Sequence, residues 1–224
     1  RDLHSFPTRR SSDLNAADDL VAIVDGAATL SYAELWARSG ELAGGLREYG
    51  IRHGDLVAVV SPEDRWCEFL VACYGIYLSG AVALPVSEGR WRAGGAAAVH
   101  AAGARLVLST TGSLSDVDDR LAVESSVGLR ASVPDLILRP DPDATACVIQ
   151  TSGTSGAPRL VAWSWANVDF DHAGPARPAT ASRNRFLTVP AIGSAVAQTM
   201  VHDSASGPLI IVSSTPDQIG RAHV

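Results

Sequence analysis

The chain has 224 residues, 46% hydrophobic and 19% charged, enough for one domain with a sizeable core. Its net charge of -6 comes with no basic stripe, so composition excludes a nucleic-acid footprint. The three cysteines, Cys67, Cys73 and Cys147, form no CxxC pair and suit a reducing, cytoplasmic setting better than a disulfide framework.

In chain order, the first segment to stand out is SFPTRRSSDL (5–14), which has no apolar period and crowds arginines among serines. QIGRAHV (218–224) is equally out of character. Both resemble translated sequencing-library adapters, so residues 1–14 and 218–224 are expected to be non-native tails around a core of 15–217. That reading makes the chain a fragment of a longer gene. No secretory h-region is apparent near the start.

LSYAELWARSGELAGGLREYG (30–50) opens with Ser31 and Glu34 at capping-box spacing. Leu35, Leu42, Leu46 and Tyr49 follow at helical spacing, and Gly50 supplies the stop. DLVAVV (55–60) reads as a buried strand. Ser61, Pro62 and Asp64 are expected to open a second helix with an apolar stripe of Trp66, Phe69, Leu70, Cys73, Ile76 and Tyr77. Its apolar run, FLVACYGIYL (69–78), is too short to span a bilayer, so no membrane span is expected. AVALPV (81–86) is a strand, AAAVHAA (96–102) a helix and ARLVLST (104–110) a further strand.

Residues 111–143 read as connection, with one short helix around Asp116–Leu121. ATACVIQ (144–150) is a strand, and RLVAWSW (159–165) alternates Val161, Trp163 and Trp165 as a strand would. NRFLTVP (184–190) is a strand, SAVAQTMVHDSA (194–205) a helix and PLIIVSS (208–214) a last strand, left at a sheet edge by lack of later neighbours. Strands alternating with helices at short spacing predict an α/β fold, a layered and mostly parallel sheet with helices on both faces. Gly193, before the 194–205 helix, is either a close-approach glycine or a plain helix-start glycine.

The loop QTSGTSGAPRLV (150–161) is longer than a tight turn needs and rich in hydroxyls and glycines. Such a loop can present successive N–H groups and hydroxyls to one anion, and glycine lets the backbone approach closely. Arg159 adds a fork of donors suited to phosphate. The competing reading is a polar surface loop with no ligand. No Walker A, GxGxxG or GxSxG pattern occurs. All eighteen basic residues are arginine, so no mechanism can draw on a lysine amine.

The order of residues in TSGTSGAPR (151–159) resembles the phosphate-loop signature T-S-G-T-T-G-x-P-K of the adenylate-forming, AMP-binding superfamily. LSYAEL (30–35) is similar to that family's L-T-Y-x-E-L opening. GIRHGDLVAVVSPEDRW (50–66) and GIYLSGAVALPV (75–86) resemble two further segments, so the likeness covers most of 25–167. The resemblance implies that 15–217 is a partial N-terminal AMP-binding domain.

Members activate a carboxylic acid with ATP and Mg2+, then pass the acyl group to a thiol of CoA or phosphopantetheine. Carried over by position, Thr151, Ser152, Gly153, Thr154, Ser155 and Gly156 would bind the β- and γ-phosphates. Arg159 stands where the motif has lysine, Leu160 at the usual glycine or alanine place, and Trp165 where histidine is common. No catalytic residue and no metal ligand is assigned within the chain. The later segments that bind adenine and ribose, and the C-terminal domain that carries the adenylation lysine, are absent, so the isolated chain is expected to be inactive without the C-terminal half of the same enzyme. The leading expectation is a fragment of an acyl-CoA synthetase-like ligase acting on nucleotide and carboxylic acid. The alternatives are a fragment of a nonribosomal peptide synthetase adenylation domain or a non-catalytic α/β fragment.

Overall fold

The computed structural model describes residues 21–25, 28–114, 117, 121–132, 141–151, 159–170, 186–188, 192–203 and 209–211. The strands are β1 Val21–Asp25, β2 Ala28–Ser31, β3 Leu56–Ser61, β4 Val82–Ser87, β5 Leu106–Ser109, β6 Val123–Ser125, β7 Thr145–Gln150, β8 Leu160–Ser164, β9 Phe186–Thr188 and β10 Leu209–Ile211. The helices are α1 Tyr32–Tyr49, α2 Trp66–Ser79, α3 Glu88–Arg90, α4 Ala96–Ala101, α5 Trp165–Phe170 and α6 Ala195–Asp203. A π-helical turn, Trp91–Gly95, joins α3 to α4.

Two sheets form. The larger has the order β6-β5-β3-β4-β7-β8, and only β8 runs antiparallel to its neighbour. The smaller has the order β2-β1-β10-β9, with β2 antiparallel. The expected α/β class with a mostly parallel sheet is what the chain adopts.

Alternation along the larger sheet creates two cores. Val57, Val59, Ala83, Leu106, Leu108, Cys147 and Ile149 face one side, where they pack with α1, α2, α6 and residues of β1 and β2. Ala58, Val60, Leu84, Val86 and Val107 face the other, against Trp91 and Val99. Helices therefore cover both faces, as parallel strands buried on two sides require.

The capping box of α1 is present: Glu34 N–H donates to Ser31 Oγ at 3.2 Å and Ser31 N–H to Glu34 Oε2 at 2.8 Å. Gly50 closes the helix at φ 101°, a left-handed conformation suited to glycine. Tyr49 does not join the buried stripe, being 42% exposed. Gly44 and Gly45 do, and a Cβ on Gly45 would lie 2.5 Å from the Leu129 carbonyl carbon.

Several expectations need correction. Helix α2 begins at Trp66 rather than at Ser61, Pro62 or Asp64, and twelve of its fourteen residues are buried. The apolar stripe widens to the whole circumference because α2 packs on α1 and on strands of both sheets. Its N-terminus has no local side-chain cap; the Asp25 carboxylate, from the end of β1, accepts the Trp66 N–H at 2.8 Å.

Trp165 is the first residue of α5, not part of β8, and meets Tyr77 edge-on at 5.3 Å. Strand β10 is no edge: it lies between β1 and β9. A strand also appears at Val123–Ser125 within the supposed connection. The helix expected at Asp116–Leu121 lies mostly outside the described residues. Among the described residues no helix is long and apolar enough to cross a membrane.

Candidate functional site

The carboxyl edge of the larger sheet is polar by construction. Strands β3, β4, β5 and β6 end on Ser61, Ser87, Ser109 and Ser125, and β7 ends on Gln150. Ser61 and Ser87 stand in register, as do Ser109 and Ser125. Each terminal group finds a partner nearby: Thr110 Oγ1 donates to Ser61 Oγ at 2.8 Å, and Ser109 Oγ to the Ser113 carbonyl at 3.2 Å. In open parallel sheets ligands collect outside this edge.

Thr151 and Arg159, which flank the glycine- and hydroxyl-rich residues 152–158 in sequence, lie at the same edge. Register runs from Thr145↔Ser164 to Gln150↔Leu160 between β7 and β8. Thr151 and Arg159 extend it by one pair: Thr151 N–H donates to the Arg159 carbonyl at 2.9 Å and Arg159 N–H to Thr151 Oγ1 at 3.0 Å. Thr151 and Arg159, the described residues on either side of 152–158, are thus joined to each other by two hydrogen bonds. Ser152, Gly153, Thr154, Ser155 and Gly156 lie outside the described residues. Thr151 has its amide committed to the hairpin, but its hydroxyl, which accepts from Arg159, still has its own hydrogen to donate. Both Thr151 and Arg159 are exposed.

Arg90, which sequence reasoning passed over, comes from the helical turn after β4. Its Nη1 donates to Gln150 Oε1 at 3.2 Å and to the Thr151 carbonyl at 3.5 Å. Glu88, in the same turn, pairs with Arg92 at 2.7 Å instead.

A third segment reaches this edge. Glu63 Oε2, in the loop after β3, accepts the Ile192 N–H at 2.7 Å. Gly193 follows at φ 89°, and a Cβ there would lie 3.0 Å from the Pro85 carbonyl oxygen of β4. Of the two readings left open for Gly193, close approach is the one the geometry requires. Burial raises the Glu63 carboxyl above its ordinary range, and the Ile192 hydrogen bond opposes this.

Behind the edge, Tyr77 donates to Gln198 Oε1 at 3.0 Å and Tyr74 to the Val201 carbonyl at 2.9 Å, tying α6 to α2. Cys67, Cys73 and Cys147 are free and buried. Desolvation pushes the Cys67 and Cys147 thiols up to about 12 and the Cys73 thiol well up, so they stay protonated and serve as packing. Among the described residues no group of three or more His, Cys, Asp or Glu could hold a metal ion.

A family model described as AMP-binding enzyme matches residues 12–200. This chain belongs to the AMP-binding enzyme family.

Relatives within the family are much longer. A protein described as a probable non-canonical nonribosomal peptide synthetase, CymA of Salinispora arenicola (strain CNS-205), is 32% identical over 207 residues, which is 88% of this chain and 2% of that protein. The AMPPNP-bound form of the nonribosomal peptide synthetase FmoA3 superposes with a TM-score of 0.73 at 26% identity, covering 93% of this chain and 23% of that one. The o-succinylbenzoate CoA synthetase MenE from Bacillus subtilis, in complex with OSB-AMP, gives 0.71 at 19% identity, covering 94% of this chain and 57% of that one. The last likeness concerns fold alone.

Proposed function

We propose that the chain supplies the triphosphate-binding part of an enzyme that activates a carboxylic acid with ATP. In that reaction a carboxylate oxygen attacks the α-phosphorus, the bond to the bridging oxygen breaks, and pyrophosphate leaves as the acyl-adenylate forms. Negative charge grows on the leaving pyrophosphate, so donors fixed around the β- and γ-phosphates lower the barrier. The observation that supports this reading is the Thr151–Arg159 clamp at the carboxyl edge of β7, the edge outside which ligands of parallel sheets bind. Thr151 would donate its hydroxyl hydrogen, Arg159 its guanidinium, and Ser152, Gly153, Thr154, Ser155 and Gly156 their amides and hydroxyls. Bound Mg2+ would neutralise part of the triphosphate charge.

Two readings within the family differ in the thiol acceptor: CoA for an acyl-CoA synthetase, carrier-borne phosphopantetheine for a peptide synthetase adenylation domain. The similarity to CymA and FmoA3 favours the second. A cytoplasmic setting is supported by three free, buried thiols.

The test is equilibrium binding of ATP to the purified chain. Saturable binding that is lost in Thr154→Ala and Arg159→Met but kept in Arg159→Lys is expected. Binding that survives both losses, or none at all in the wild type, would remove the proposal.

A further inference from the structure

We propose that Arg90 is a second cationic ligand of the triphosphate, held beside Thr151 at the start of the motif residues. This inference rests on the triphosphate reading above.

Charge accounting in one helical turn leads to it. The turn after β4 carries Glu88, Arg90 and Arg92. The only acid of the three is spent on Arg92 at 2.7 Å. Among the described residues neither Arg90 nor Arg159 has a carboxylate partner. Arg90 is half-buried and keeps its charge available to an incoming anion.

Geometry then says where that anion sits. Arg90 directs Nη1 at Gln150 Oε1 and the Thr151 carbonyl, the last two groups before the motif loop. These contacts use one of its nitrogens. Nη2 and Nε, whose hydrogens complete the planar fork, have no partner among the described residues. The fork is thereby held by neutral acceptors with its other donors left for an incoming group. Two neutral oxygens fix its orientation without cancelling its charge. Phosphate oxygens suit such a fork, which can take two of them at once. The Arg90 guanidinium reaches the Thr151 carbonyl, and the Arg159 backbone N–H reaches the Thr151 hydroxyl, so both arginines are anchored at Thr151. In a chain without lysine, two arginines would share the work of the motif's single ammonium.

The experiment uses the whole chain and compares ATP, inorganic pyrophosphate and AMP by calorimetry in wild type, Arg90→Gln and Arg90→Lys. Glutamine keeps an N–H donor for Gln150 and Thr151 but carries no charge; lysine keeps the charge and loses the fork. Arg90→Gln is expected to weaken ATP and pyrophosphate by roughly tenfold to a hundredfold, the range of a charge-assisted hydrogen bond. Arg90→Lys should lose less, and AMP should bind weakly and equally to all three. Thermal melts of the variants separate misfolding from lost contact.

ATP and pyrophosphate affinities unchanged in a folded Arg90→Gln chain would overturn the proposal. So would equal losses for AMP, which would mark Arg90 as a structural brace. A wild-type chain that binds neither anion would overturn the triphosphate reading itself, and that failure shows in the wild type rather than in the variants.

Discussion

Replacing Asp25 by alanine tests how the buried helix α2 is held in place. The carboxylate is 6% exposed and accepts the Trp66 N–H at 2.8 Å, while the neighbouring Arg65 offers no side-chain cap. Losing an N-cap costs about 0.5–2 kcal/mol. Leaving a buried N–H unpaired costs about 1–3 kcal/mol. These describe one interaction from two sides, so the expected loss is about 2 kcal/mol, or about 4–8 °C in Tm for a chain of this size. Asp25→Asn keeps the acceptor and removes a charge that burial disfavours, so its cost should stay under about 1 kcal/mol.

The pH dependence has a definite sign. Desolvation raises the Asp25 carboxyl above its ordinary value; the Trp66 hydrogen bond opposes this and Glu68 and Asp64 add to it. Between the ordinary and the raised value the folded state holds a proton that the unfolded chain has released. Stability from this group is therefore fully present below the ordinary value and is lost as pH rises through the raised one. Relative to Asp25→Asn, the wild type should gain stability on acidification from neutral pH. Circular-dichroism melts of the three proteins across that range measure both effects. Equal Tm values for wild type and Asp25→Ala, or an asparagine variant as weak as the alanine one, would refute the reasoning.

Further outcomes follow from the same geometry. Glu63→Gln should flatten the remaining acid-side gain in stability, since burial raises that carboxyl too; an unchanged pH profile in urea titrations would count against it. Gly193→Ala should cost about 2–3 kcal/mol, the left-handed penalty plus a Cβ at 3.0 Å from the Pro85 oxygen, and equilibrium unfolding reads it directly. Gly75→Ala drives a Cβ to 2.7 Å from Leu42 Cδ2 and should cost about 1–3 kcal/mol, with Leu42→Ala coupled to it in a double-mutant cycle. Thr151→Val removes the acceptor for the Arg159 N–H and should cost about 1 kcal/mol and weaken ATP binding.

Local signals carried most of the fold. The Ser31–Glu34 box and Gly50 marked α1, and short apolar runs marked β3, β4, β5 and β7, because caps, stops and alternation are decided within a few residues. What sequence did not disclose was long-range. Nothing near Trp66 announces that its cap comes from Asp25, forty-one residues earlier. Nor does Leu209–Ile211 reveal that it slots between β1 and β9. Trp165 continues the alternation of β8 by residue type, yet its ring turns into the core against Tyr77 and the backbone goes helical.

The candidate site divides in the same way. Thr151 and Arg159 were legible from the motif. Glu63 was not, since its partner Ile192 is far along the chain. Arg90 left a faint trace: an i,i+4 pair between Glu88 and Arg92 takes the one carboxylate that the turn offers.

The central claim is that the loop between Thr151 and Arg159 grips the terminal phosphates of a nucleotide. Phosphorus NMR of ATP titrated with the chain reads this most directly. Binding should shift or broaden the β- and γ-phosphorus signals more than the α signal, and the effect should disappear with Thr154→Ala. Unmoved β and γ signals at protein excess, or an effect confined to the adenine protons, would contradict the account.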